Sequence, residues 1–401
     1  MSSTPGADDR GPSPAAGPTS VRQVRGTGPL VVYSVTGFSG YAVLLPVAPL
    51  WAVHGGAGAA GAGLVNGVLL ATTVLAQLAV PALVRSLGHG RAMVLGLLLM
   101  ATGAAALPVS DGLGWILACS VVRGAGFGVL TVTGSAVVGH LAPPGLRGRM
   151  VGAYGLAVAV PNLLLLPLGV AAVDLVGFAP VLLVGALPVL GVPAALALRR
   201  LVGDAAAAGP ARDTDDSWTG LLGAIAAPTL VLLASTLAGG ALLTFIPQVT
   251  TPVVASVALL VMGATAAASR YGAGHVADAG ARGGEAWLVP LLVVAAAGAA
   301  ACAWGARDGA AVWLIGGALL AGTGYGALQN LTLVSAFRRA GPGRVDETST
   351  LWNVGFDGGT ALGSVLVGLL ASGWGFPTAF ALAACACLLA LVPAGLRGPA
   401  R

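Results

Sequence analysis

The chain is 401 residues long, 57% hydrophobic and 8% charged, with a mean hydropathy of +0.92 and a formal net charge of +5. Soluble domains run near a quarter charged, so this composition cannot cover a water-facing surface and excludes a soluble enzyme or binding module. All 19 basic residues are Arg, and a pI near 9.4 calls for no nucleic-acid partner when Arg in membrane-flanking loops accounts for it.

Residues 1–28 are rich in Pro, Ser and Gly, carry Asp8, Asp9, Arg10, Arg22 and Arg25, and lack a short apolar core followed by a cleavage site. They read as a disordered cytoplasmic tail and not as a signal peptide. Beyond them, apolar stretches long enough to cross a bilayer as helices recur at about 29–53, 63–84, 92–109, 114–141, 150–173 and 178–198. After a break they resume at about 219–247, 252–269, 286–304, 311–337, 350–373 and 376–392. The expected fold class is therefore an all-α integral membrane protein of about twelve transmembrane helices.

Charge alternates along the connections. Arg85 and Arg91, Arg147 and Arg149, Arg199, Arg200 and Arg212, Arg270 and Arg282, and Arg338, Arg339 and Arg344 fall in every second loop, while the intervening loops offer only Arg307. The positive-inside rule then sets both termini in the cytoplasm, in agreement with an even number of spans. The longest interior connection, 199–218, holds Asp204, Arg212, Asp213, Asp215 and Asp216 in an Ala, Gly and Pro setting and reads as a cytoplasmic linker. It separates a six-helix bundle at 29–198 from a second at 219–396, with a cytoplasmic tail at 397–401. The halves read as repeats: Gly124, Gly126, Phe127, Gly128 and Leu130 of the fourth span align at constant offset with Gly322, Gly324, Tyr325, Gly326 and Leu328 of the tenth.

Several residue types carry no site. Cys119, Cys302, Cys385 and Cys387 lie in apolar runs without His or carboxylate neighbours at ligand spacing, and read as small buried hydrophobes. His54, His89, His140 and His275 fall near helix ends without mutual spacing. No metal and no cofactor is expected.

Two charges stand inside spans, where each costs about 2.5 to 3.5 kcal/mol at mid-bilayer and so has to face a cavity, a partner or a substrate route. They are Arg123 in the fourth span and Asp357 in the eleventh. Asn353 and Asp357 share a helix face at i and i+4, and a carboxylate there can take up and release a proton, which makes Asp357 the candidate for proton coupling. The alternative is a polar clamp between helices, to Asn66, Thr72, Thr73 or Gln77 of the second span. For Arg123 the alternative is an Arg that locks the bundle by bonding neighbouring carbonyls or a carboxylate.

Arg-Gly-Ala-Gly-Phe-Gly at 123–128 resembles the fourth-span arginine motif of the major facilitator superfamily. The loop Pro-Ala-Leu-Val-Arg-Ser-Leu-Gly-His-Gly-Arg at 81–91 is similar to the family's cytoplasmic signature in Gly88 and Arg91, but Arg85 stands where its Asp belongs and Pro81 where its first Gly belongs. The matching loop of the second half keeps Gly274, Asp278 and Arg282, with Ala281 in place of the later Gly. Leu-Ala-Pro-Pro-Gly-Leu-Arg-Gly-Arg at 141–149 is similar to the run that leads many of these transporters into the fifth span.

The resemblance implies a secondary transporter of two pseudo-symmetric bundles that works by alternating access, with Gly88, Arg91, Gly274, Asp278 and Arg282 in gating loops. It implies that Arg123 lies near a central cavity lined by the first, fourth, seventh and tenth spans. Tyr33, Tyr41, Tyr325, Gln329 and Asn330 become candidate substrate contacts, together with Asn162 of the fifth span and Asn353 of the eleventh. The expected activity is proton-coupled efflux of a small organic compound, a drug or metabolite, across a bacterial cytoplasmic membrane, with lipid and protons as the other partners and a monomer as the default state. A proton-symport importer or a facilitator would use the same residues. A polytopic membrane enzyme would need paired carboxylates or a nucleophile beside a base, and the spans contain one acidic residue. Lys is absent altogether, so no nucleotide-binding Gly-Lys-Ser/Thr loop exists.

Overall fold

The structure is a computed structural model and describes residues 18–207, 218–279 and 284–395. Of the expected N-terminal tail, residues 1–17 lie outside the described residues. The rest is folded: a 3-10 turn at Val21–Gln23 seats Val24 in the core before the first membrane helix begins.

The first half follows as α1 (Thr27–His54), α2 (Ala59–Leu87), α3 (His89–Ala105), α4 (Leu113–Leu141) and α5 (Arg147–Val176). Its sixth span departs from the expected single helix. It comprises α6 (Phe178–Val184), a 3-10 segment at Leu187–Gly191 and α7 (Val192–Ala207). Pro188 at the start of the 3-10 segment lacks the N–H that an α-helical ladder needs. α1 packs into the break: a Cβ on Gly40 would lie 2.5 Å from Pro188 Cδ and 2.6 Å from the Gly185 carbonyl oxygen. α7 runs to Ala207, past the start expected for the linker at 199. Residues 208–217, with Arg212, Asp213, Asp215 and Asp216, lie outside the described residues, as do 396–401.

The second half holds α8 (Trp218–Phe245), α9 (Pro252–Ala279), α10 (Leu288–Asp308), α11 (Ala311–Ala340), α12 (Val345–Leu389) and the short α13 (Leu391–Gly395). Among the described residues eleven helical stretches are long and apolar enough to cross a membrane. The last, however, is two spans: α12 breaks at Gly375, whose φ of 78° and ψ of 159° are open to glycine and not to residues with a side chain. Twelve spans result. Gly88, with φ 78° and ψ 155°, performs the same reversal in a one-residue connection of the first half, being both the last cap of α2 and the first of α3.

The outer surface is apolar, with Leu75, Leu175, Val253 and Val312 among its most exposed side chains, as a lipid solvent requires. Between helices, association rests on close packing of small residues, because lipid offers Leu as good a home as another helix does. The repeated glycines do this work equivalently in both halves. Added Cβ atoms on Gly124 and Gly128 would run into the carbonyl oxygens of Leu69 and Thr73 on α2, and on Gly322 and Gly326 into those of Met262 and Ala266 on α9. Gly126 and Gly324 face the other way, onto Gly96 and Met100 of α3 and onto Leu291 and Ala295 of α10. The repeat seen in sequence is thus a repeat in packing.

Candidate functional site

Asp357 and Asn353 lie on the face of α12 that meets the first half. Gln77 of α2 donates through Nε2 to Asp357 Oδ2 at 2.6 Å and to Thr131 Oγ1 of α4 at 3.1 Å, while its Oε1 is buried without a partner. One turn earlier, Asn353 Nδ2 donates to Ser135 Oγ of α4 at 2.9 Å and to the Ser349 carbonyl at 2.7 Å. The i and i+4 face therefore joins the halves, and Gln77 is the clamp partner among the second-span residues considered from sequence. Among the described residues, the only hydrogen-bond partner of the Asp357 carboxylate is this neutral amide.

Arg123 is buried at 2% exposure, and its Nη1 has no hydrogen-bond partner. Its guanidinium lies in electrostatic range of Tyr41, and Tyr41 in range of Asp357 and Tyr325. The part-exposed Tyr41 ring stacks on Phe127, the aromatic of the arginine motif, with centroids 4.0 Å apart and planes within 5°, and Phe38 meets Phe127 edge-on at 5.4 Å. In the second half, Tyr325 packs against Phe356 at 6.2 Å, and Phe356 stacks on Trp352 at 5.7 Å. Tyr33 is elsewhere: it is fully buried and donates to Thr133 Oγ1 at 2.8 Å, since the Thr133 proton goes to the Val129 carbonyl. Asn162 spends its amide on the Val158 carbonyl of its own helix at 2.8 Å.

A further buried charge escaped the sequence reading. Arg270, expected in a loop just past a span ending at 269, lies instead within α9, which continues to Ala279. Its Nη1 donates to Gln329 Oε1 at 2.7 Å, its guanidinium lies 6.0 Å from the Tyr154 ring, and its Nε is unsatisfied. Asn330 donates to the Gly148 carbonyl of α5 at 3.1 Å and to the Arg270 carbonyl at 2.9 Å. Gln329 and Asn330 thus brace helices in this conformation. Among the described residues, the buried Arg270 therefore joins Arg123 and Asp357 as a charge well inside the spans.

At the terminus-side end of the bundle, Asp278 of α9 caps α5. Its Oδ1 accepts the Gly148 N–H at 2.7 Å, and its Oδ2 accepts the Arg149 N–H at 3.0 Å and Nε at 3.1 Å. A carboxylate at a helix N-terminus satisfies orphan donors and complements the helix dipole. Gly274 and Gly148 let the two backbones touch there, each occupying the place a Cβ on the other would need. Arg149, read from sequence as a loop charge, is therefore a partner of Asp278. In the first half, Gly88 and Arg91 are exposed, and Arg282 lies outside the described residues. Arg85, which stands where the family signature has its Asp, has its Nη1 3.9 Å from Glu347, on the first turn of α12. Beside it, His89 and His140, without mutual spacing in sequence, converge in space on Asp346.

Among the described residues, the hydrogen bonds between the halves, from Gln77–Asp357 to Asp278–Gly148, lie in the terminus-side portion of the bundle. That end is closed.

A model of the Major Facilitator Superfamily matches residues 30–356. No curated protein sequence matches the chain. Among solved structures, it is similar to a bacterial homologue of the iron transporter ferroportin in an outward-facing state, with a TM-score of 0.75 and 15% identity over 92% of this chain and 98% of that one. It is similar to the human organic anion transporter MFSD10 (TETRAN), with a TM-score of 0.72 and 19% identity over 92% and 99% of the two chains. A third likeness is to FucP in the outward conformation, with a TM-score of 0.68 and 14% identity over 92% and 97%. At these identities the likenesses establish the fold.

Proposed function

The chain belongs to the Major Facilitator Superfamily, and from that membership we propose that this multi-pass secondary transporter exports a small organic compound by exchange for protons. The observation that carries the proposal is the Asp357 carboxylate held across the two halves by the neutral Gln77 amide. A cation there would pin the carboxylate in its charged form. An amide leaves it free to take a proton, and protonation weakens the acceptor that joins α12 to α2. Proton binding and closure of the terminus-side end are then linked in both directions. In this scheme the halves at 29–198 and 219–396 rock about the site, with both termini in the cytoplasm of a bacterial cell.

The substrate lies between the Tyr41–Phe127 and Tyr325–Phe356 walls, which suit a flat aromatic part. The unpaired Nη1 of Arg123 suits an acidic group on the same compound. An organic acid with an aromatic ring fits both, and the likeness to an organic anion transporter is in keeping with it. An importer by proton symport would use the same carboxylate.

The test is movement of a panel of fluorescent organic acids, dyes and antibiotics in inverted vesicles, with and without an imposed pH gradient. Gradient-driven accumulation inside inverted vesicles supports export. Accumulation only in right-side-out vesicles overturns export in favour of import, and movement indifferent to a protonophore overturns proton coupling.

A further inference from the structure

We propose that His89, His140 and Asp346 form a binding site for a divalent transition-metal ion of the zinc class, which when bound fastens the two halves together at the terminus-side end. Nothing in the transport reading requires this site. His89 opens α3, His140 is in the last turn of α4, and Asp346 is in the first turn of α12. The fold brings these three helix ends together although the two histidines are remote in sequence.

The geometry is that of a converging ligand set. His89 Nε2 lies 2.9 and 3.1 Å from the two Asp346 oxygens, and His140 Nε2 lies 3.2 Å from Oδ1. All three ligand atoms fall within 4.8 Å of one another. An ion at about 2.0 to 2.2 Å from each ligand, the range for zinc, sets tetrahedral neighbours roughly 3.3 Å apart. The two nitrogen-to-oxygen edges already stand within a few tenths of that, and only the edge between the histidines has to shorten. The imidazoles meet at 81° with centroids 4.8 Å apart, so their Nε2 atoms can turn towards one point without the rings colliding.

The donor set selects the ion. Two imidazoles and one carboxylate suit zinc, cobalt or nickel, whereas magnesium and calcium prefer oxygen shells. The histidine side chains are 9% and 10% exposed and the aspartate 22%, which leaves a wet side for a fourth ligand and for entry of the ion. The neighbouring Arg85 faces Glu347 at 3.9 Å, so its charge is partly offset. Because two ligands belong to the first half and one to the second, opening this end pulls the site apart. Metal binding therefore favours the closed end and opposes transport, whatever the substrate or its direction.

The test uses the full chain, freed of any polyhistidine tag, in nanodiscs. Titration with ZnCl2 followed by calorimetry, and with Co2+ followed by visible absorption, is expected to give one ion per chain at micromolar affinity and the intense cobalt bands of a tetrahedral nitrogen and oxygen site. His89→Gln and His140→Gln keep a hydrogen-bond donor for Asp346, and each is expected to weaken binding by at least about tenfold. His54→Gln and His275→Gln are expected to leave it unchanged. Thermal unfolding without metal shows whether each variant is folded, and zinc is expected to raise the midpoint of the parent but not of His89→Gln. Absence of saturable binding by the parent protein, a cobalt spectrum of octahedral all-oxygen type, or equal binding by folded His89→Gln and His140→Gln overturns the site.

Discussion

Gln77 and Asp357, 280 positions apart in the chain, are joined by a 2.6 Å hydrogen bond that ties α2 to the eleventh span. The same amide holds Thr131, so α2, α4 and α12 meet at one nitrogen. Asp357→Asn conserves volume and leaves an oxygen to accept from Gln77, but it cannot ionise. Coupling free energies between sites commonly correspond to 5- to 150-fold, so gradient-driven transport in this variant is expected to fall by at least about tenfold, with the thermal midpoint near that of the parent. Transport with unchanged pH dependence would remove Asp357 from coupling.

Arg123 is the in-span charge of the first half. Its Nη1 is unpaired at 2% exposure, a costly arrangement in a low-dielectric setting unless a second group arrives during the cycle. Lys keeps the charge but not the planar fork. Arg123→Lys is expected to lower the rate and weaken the apparent affinity for acidic substrates while the amount of protein in the membrane stays constant. Parent-like transport of organic acids by Arg123→Lys would reduce Arg123 to a generic positive charge.

Asp278 offers a prediction that does not depend on knowing the substrate. It accepts two backbone N–H bonds and one from the Arg149 guanidinium, all across the interface between halves. Asn has a single oxygen and no charge, and each lost bond to a buried group costs about 1 to 3 kcal/mol. Asp278→Asn is expected to lower the thermal midpoint and to speed hydrogen exchange at the amides of Gly148 and Arg149, read by mass spectrometry of peptides covering the start of α5. Unchanged exchange at these amides would show that the cap is not maintained in the membrane.

Much of this architecture is legible in the sequence because the bilayer is a severe solvent. Span count, the break near Gly375 and the paired Gly motifs follow from apolar length and residue size, which no partner alters. Gln77 could be named among the partners of Asp357 because a carboxylate inside a span restricts its own choices. Arg270 was missed for the opposite reason: hydropathy ends a span at the first strong charge, whereas α9 carries that charge inward against Gln329 and Tyr154. His89, His140 and Asp346 were missed because three helix ends meet in space and share no local pattern. Tyr33, Gln329 and Asn330 are candidate substrate contacts because the resemblance puts their spans around the cavity, and each is paired within the protein.

A close backbone approach between the halves supplies the last prediction. A Cβ on Gly148 would collide with the Gly274 carbonyl oxygen, lie 2.6 Å from Ala277 Cβ and crowd Asp278 Oδ1 at 3.0 Å. The first of these is backbone on a packed helix and cannot step aside as a flexible side chain does. Gly148→Ala therefore penalises the closed terminus-side end and not the open one, and the balance between the two shifts towards open. The control is Gly67→Ala, on α2, where an added Cβ meets nothing within 4 Å. Replacing Gly by Ala there gains about 0.5 to 1 kcal/mol of helix propensity and strains no contact. With Cys385 removed, because it is an exposed thiol, spin labels at Ser86→Cys and Val276→Cys report the distance between the two halves at this end. Gly148→Ala is expected to populate a longer distance and to slow transport, while Gly67→Ala keeps the parent distribution. A parent-like distribution in Gly148→Ala would mean that the backbone contact between Gly148 and Gly274 does not decide which end of the bundle is closed.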